Sequence, residues 1–294
     1  MDPLRKPDER CDGLPDSAFT AHYVDVPDTE NGQLRVPAPG PVTTVPPAGE
    51  VFVGREPELV AMHEEWAAVL GGQPRVVWIE GDAGIGKSAL IRRFLAQVAD
   101  GGFVLRADGA EEESALPYGV VGQLAASIRQ LDGLPLLAAG PVPDADALAV
   151  GSELLRVLGV LQEMNPVVVV IDDFQWIDLP SAQALAFAVR RLRLDQVLVL
   201  AAARPREAAR LGDAWTRIAA DPTRARRLRL TGLGASELGE FALGLGLEPM
   251  SRPAIERLRE HTSGHPLHAR AARGDPTGRA PLRTELTSGP AIPR

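Results

Sequence analysis

The chain has 294 residues, 45% of them hydrophobic and 24% charged, enough to bury a sizeable core in one domain or two. A formal net charge of −8 excludes a general electrostatic attraction to nucleic acid, and a single cysteine, Cys11, excludes an internal disulfide and a thiolate metal cluster. No apolar run approaches membrane-spanning length and Met1 to Arg10 has no apolar core, so a cytoplasmic protein without a secretory signal or membrane contact is expected.

Residues 1–48 read as an unstructured leader, because prolines recur from Pro3 to Pro47 and no apolar period holds. The bland reading is a flexible leader; the sharper one is a docking peptide. Order is expected to begin at Val51-Phe-Val-Gly-Arg-Glu56 and to pass into a helix carrying Leu59, Met62, His63, Trp66, Val69 and Leu70 on one side. Gly71-Gly72 ends that helix and Pro74 follows as a stop.

Arg75 to Glu80 then reads as a strand, and it leads into Gly81-Asp82-Ala83-Gly84-Ile85-Gly86-Lys87-Ser88. The octet fits Gly, four residues, Gly, Lys, Ser/Thr, a phosphate-binding loop, and a helical run from Ala89 to Ala96 leaves it. Glycines let successive backbone N–H groups curl toward phosphate oxygens, and the helix beginning near Gly86 adds its unpaired amides and positive dipole end. Lys87 is suited to reach β- and γ-phosphates, and the Ser88 hydroxyl to ligate Mg²⁺. Among 31 Lys and Arg residues only Lys6 and Lys87 are lysine, so a chain that otherwise uses arginine has placed its one interior lysine where a compact ammonium is needed.

Phe103 to Ala107 reads as the next strand. The acidic stretch Asp108 to Glu113 reads as a solvated loop and helix start, followed by a helix over about Pro117 to Leu131, a Pro/Gly segment from Gly133 to Pro143, and a longer helix over Asp144 to Met164 with Leu148, Leu154, Leu155, Leu158 and Leu161 on its apolar face. Val167-Val-Val-Val-Ile171 is a β-branched run of the kind buried on both faces of a parallel sheet, and it ends in Asp172-Asp173. A carboxylate there sits where open α/β sheets place ligands. Paired with the upstream loop, Asp172 is assigned the Mg²⁺ shell and Asp173 the activation of water.

Asp178 reads as the cap of the next helix, with Pro180 in its first turn and Ser181 to Leu194 helical. Arg190, Arg191 and Arg193 are either cations at a helix C-terminus or groups acting on a neighbour's nucleotide. Gln196 to Ala202 is a further buried strand, and Arg204 beyond it is either a sensor of the γ-phosphate or a surface arginine before Pro205. A fifth, more polar strand spans Arg224 to Leu230. The expected fold is α/β, a P-loop nucleotide-binding core over residues 49–231 with about five mostly parallel strands flanked by helices. A small helical lid follows over 232–270, with helices at Ala235 to Leu245 and Pro253 to Thr262, then a disordered tail over 271–294. His261, His265 and His268 have no carboxylate or thiol placed to complete a ligand set, so they are read as structural or surface groups.

Val53-Gly-Arg-Glu56, the octet, the run ending at Asp173 and Thr262-Ser-Gly-His-Pro-Leu267 occur in the order found in signal-transduction ATPases with numerous domains. The chain resembles that AAA-type family over roughly residues 50–270, and Phe174-Gln-Trp-Ile-Asp178 is similar to the large ATP-binding regulators of the LuxR type. The resemblance implies that Val53, Gly54 and Arg55 lie by the adenine and ribose, that Gly81 to Ala89 hold the phosphates, that Arg204 matches the sensor arginine, and that Pro266 presses on the nucleotide from the lid. It implies ATP and Mg²⁺ as ligands, ADP as product, and a protein partner or self-association. Those LuxR-type regulators continue into helical repeats and a DNA-binding module. This chain shows no repeats, so it is expected to be the ATPase portion of such a regulator, without its sensor and without direct DNA binding. Three activities remain open: a slow ATP-driven switch, a P-loop small-molecule kinase, and a non-hydrolysing assembly module.

Overall fold

The computed structural model describes residues 51–98, 102–127, 145–205 and 212–272. The leader expected over 1–48, the segment 133–143, and all but the first two residues of the tail expected over 271–294 lie outside these.

Five strands form one sheet: β1 (Arg75–Glu80), β2 (Phe103–Asp108), β3 (Val167–Asp172), β4 (Val197–Ala203) and β5 (Ala225–Arg229). Their order is β2-β3-β4-β1-β5 and every pair is parallel. β3 and β4 are buried along their whole length, which is why their sequences run almost without polar residues. Alternation along the strands divides the core in two. Val77, Ile79, Val168, Val170, Leu198 and Leu200 pack under α1 (Glu56–Leu70) and α2 (Lys87–Val98). Val76, Trp78, Val169, Ile171 and Val199 pack under α3 (Gly119–Ala126), α4 (Ala147–Gln162), α5 (Leu179–Val189) and α6 (Asp213–Ala220). Because all strands run the same way, the chain leaves β1, β3 and β4 at one edge of the sheet, and that shared edge positions the site.

Several local expectations shift. α4 turns Val150, Leu154, Val157, Leu158 and Leu161 inward while Leu148 is 55% exposed, since Asp146 caps the helix and puts Leu148 in the solvent-facing first turn. α5 starts at Leu179, where the Asp178 cap and Pro180 put it, with Asp178 accepting from the Ser181 N–H at 2.8 Å, but it ends at Val189 rather than Leu194. The Asp178 carboxylate also accepts from the Tyr118 and Val120 amides, so it ties the start of α3 to α5. α6 is an addition. Its Trp215 is 1% exposed, lies 4.8 Å from the Phe174 ring, and donates its indole N–H to the Ala182 carbonyl.

Beyond β5, α7 (Ala235–Gly244), α8 (Arg252–Thr262) and a third helix, α9 (Pro266–Ala272), enclose a small core of Leu233, Leu238, Phe241, Leu245 and Ala269. Val51 and Val53, from the segment ahead of α1, pack against this core. Among the described residues no helix is long and apolar enough to cross a membrane.

Candidate functional site

The loop between β1 and α2 has the backbone that its glycines permit. Gly84 and Gly86 take φ of 78° and 108°, and a Cβ at Gly81 would stand 2.6 Å from Ile85 Cγ2. Lys87 opens α2 and is 6% exposed, and its ammonium donates to the carbonyls of Gly81 (2.9 Å) and Asp82 (3.1 Å). Burial pushes the Lys87 ammonium below its ordinary range; Asp173 and Asp172 oppose that shift and Arg204 adds to it. A cation held this way gains from an anionic ligand.

Lys87 shares one cleft of about 260 Å³ with Ala83, Gly84, Gly86, Ser88, Ala89, Arg92, Asp173 and Arg204. Asp172 ends β3 and is 5% exposed; its Oδ1 accepts from the Asp173 N–H at 3.0 Å, and Arg106 of β2 stands 3.8 Å from Oδ2. Asp173 has a left-handed backbone, φ 46° and ψ 45°, and begins a short 3-10 turn over Phe174–Trp176. The turn buries Phe174 between Trp78 and Trp215.

Gln175, which the sequence did not single out, joins the two sides of this cleft. Its Nε2 donates to Asp173 Oδ1 at 2.8 Å and its Oε1 accepts from the Arg204 N–H at 3.1 Å. Arg204 directly follows β4, with its guanidinium carbon 6.0 Å from the Trp176 ring centre and its Nε buried without a hydrogen-bond partner. Its guanidinium therefore keeps a donor that no protein group among the described residues accepts, beside the cleft that holds Lys87.

The residues ahead of α1 and in α9 meet the loop from the other side. Gly54 (φ 64°) is pressed against Glu237 of α7, where an added Cβ would stand 2.3 Å from Oε1. Arg55, itself at φ 69°, is buried and donates to the Ile85 carbonyl (3.3 Å), the Thr231 carbonyl (2.6 Å) and Glu58 (3.3 Å). Pro266 is the first residue of α9, and its two neighbours reach the loop: a Cβ at Gly84 would stand 2.7 Å from Leu267 Cδ2 and 3.2 Å from His265 Cε1. His265 is 8% exposed and stacks on His268 at 4.3 Å. His265 is thus a buried packing group, as the structural reading expects, and its seat beside the phosphate loop comes from tertiary contacts, because nothing in the local spacing says which helix meets which loop.

Arg190 and Arg193 stand at the opposite edge of the sheet, beside Pro74 and Arg75, and Arg191 lies over the Phe187 ring and donates to the Phe187 carbonyl. None of the three lines the cleft that holds Lys87.

A glycine loop between β1 and α2, facing the ends of β3 and β4 across a five-stranded parallel sheet, is the arrangement of a P-loop nucleotide-binding fold. Residues 51–200, just over half of the 294, match the model of the AAA ATPase domain, and the chain belongs to that family. Cdc6p from Pyrobaculum aerophilum is similar in structure, with a TM-score of 0.53 and 15% identity over 79% of this chain and 65% of that one. The ORC1 protein of Aeropyrum pernix, solved in complex with DNA, has a TM-score of 0.46 and 18% identity over 78% of this chain and 68% of its own. An uncharacterized protein of Rhizobium meliloti (strain 1021) is 29% identical in an alignment 212 residues long that covers 60% of this chain and 20% of that protein. The chain thus spans a fifth of the curated relative it matches.

Proposed function

We propose that the chain is the ATP-binding, slowly hydrolysing switch of a LuxR-type regulator of the signal-transduction ATPase class. The observation that carries this reading is the convergence of Lys87, Asp173 and Arg204, from three different strand ends, on one cleft. In the proposed site the amides of Gly84 to Ala89 cradle the phosphates, Lys87 neutralises the β- and γ-oxygens, and Arg204 gives its unpaired N–H to the γ-phosphate. Ser88 in the cleft and Asp172 at the end of β3 would hold Mg²⁺, which would supply positive charge against the phosphates. Asp173, steadied by Gln175, orients a water for attack. Gly54, Val53 and Pro266 stand where the core meets the lid and would flank the nucleoside.

The lid residues His265 and Leu267 touch Gly84, so a change in the loop reaches α9 directly. A protein partner, or a second copy, reads the lid position. Direct DNA binding is not proposed for a chain of net charge −8.

Single-turnover hydrolysis of labelled ATP, with and without Mg²⁺, tests the reading. Phosphate release that needs Mg²⁺ and is abolished by Asp173→Asn with ATP binding kept supports a hydrolytic switch. Binding with no release at long times points to an assembly module, and transfer to a metabolite points to a kinase. Lys87→Ala removes two charge-assisted contacts of about 1.5–3 kcal/mol each, roughly a hundredfold or more in affinity. An unchanged affinity sinks the site assignment.

A further inference from the structure

The Arg55 side chain is 9% exposed, and its fork joins three separate parts of the chain. One Nη donates to Ile85 O and Thr231 O, the other to Glu58 Oε1 on the first turn of α1. Two consecutive left-handed residues, Gly54 and Arg55, are needed to bring the guanidinium there, and the second is a non-glycine held against its backbone preference. Such a conformation persists only where surrounding contacts fix it, and here they are the arginine's own hydrogen bonds.

The Ile85 carbonyl is half of the peptide that carries the Gly86 N–H. In a planar trans peptide the carbonyl and the N–H point in opposite directions. Gly86 lines the cleft with Lys87 and Ser88, whereas Arg55 is not among the cleft's lining residues. A guanidinium holding Ile85 O on the far side therefore keeps the Gly86 N–H on the cleft side. Gly86 has no side chain and a φ of 108°, so without that anchor its preceding peptide is free to turn.

We infer that Arg55 is a positioning residue for phosphate, which aims the Gly86 amide into the cleft and ties that peptide to Thr231, where the chain leaves the sheet for the lid. This rests on the phosphate reading of the loop. It differs from a contact between Arg55 and adenine or ribose, and the two assignments respond differently to the same substitution.

Arg55→Lys keeps the charge but replaces a rigid fork with a single ammonium, which does not span Ile85 O, Thr231 O and Glu58 together. Calorimetric titration in Mg²⁺ buffer compares ATP with inorganic tripolyphosphate, for the wild type and the variant, at a temperature where both are folded. The expected result is a loss of about tenfold for both ligands, with their affinity ratio unchanged. A loss confined to ATP, with tripolyphosphate binding intact, overturns the inference in favour of a nucleoside contact. Equal affinities in wild type and variant overturn it as well. A wild type that binds neither ligand overturns the phosphate reading itself, and the inference with it. Should the lysine variant not fold, Glu58→Gln loosens one arm of the fork only. It is expected to weaken both ligands equally, by about two- to threefold, and the same ATP-only loss overturns the inference.

Discussion

Gly109 is the first residue after β2, 64 positions before Asp173 in sequence and in contact with it in space. Its N–H donates to the Asp172 carbonyl at 2.9 Å. A Cβ placed there would stand 2.5 Å from the Asp173 carbonyl oxygen and 3.2 Å from the Trp176 carbonyl carbon, where ordinary contact is 3.4–4 Å. The overlap is with backbone on both counts, so no side chain can swing away to relieve it. In Gly109→Ala the end of β2 and the turn at Asp173–Trp176 must move apart, at a cost of about 1–3 kcal/mol. Chemical denaturation should show a lower midpoint with an unchanged slope. The turn carries the reacting group of the proposed site, and a misplacement of about 1 Å costs on the order of 10²-fold in rate. ATP affinity should hold, because the phosphate loop leaves β1, separated from β2 by two strands. A variant with the wild-type midpoint and the wild-type rate of single-turnover hydrolysis would refute this packing of Asp173.

Two further outcomes follow from buried groups. Trp215→Ala removes a side chain that is 1% exposed, packed 4.8 Å from Phe174 and 6.2 Å from Trp78, and should cost about 3–5 kcal/mol; a loss under about 1 kcal/mol would mean α6 does not seal this face. Burial, then the neighbouring His268, lowers the His265 pKa from its ordinary 6.5, against smaller raising effects from the Ala83 backbone and Asp82; Lys87 lowers it slightly more. The unfolded chain therefore takes up this proton first as pH falls. Stability from this group is complete above 6.5 and is lost as pH drops toward the lower folded value. Melting temperatures of the wild type and His265→Phe, followed from neutral pH to mildly acidic pH, should diverge in slope only in that window. Parallel curves would remove His265 from the account.

The phosphate loop was legible because its chemistry is local: eight consecutive residues carry the glycines, the lysine and the hydroxyl, and the flanking strand and helix follow from apolar runs. The buried strands β3 and β4, and the cap at Asp178, were legible for the same reason. α6 was not. It has eight residues, and its one large anchor, Trp215, finds its partners in β1 and in the turn after β3.

Sequence by itself therefore determined the fold class, the loop, and the candidate status of Asp172, Asp173 and Arg204. Which groups support them is a matter of strand order, since β2-β3-β4-β1-β5 sets Asp173 and Arg204 side by side, with Gln175 hydrogen-bonded to both. Tertiary structure alone decided that the Arg55 fork serves the Ile85 and Thr231 carbonyls, and that His265 rests on Gly84. Those contacts join residues 30 to more than 170 positions apart, and the periodicity and capping that make a sequence readable act over a few turns of chain.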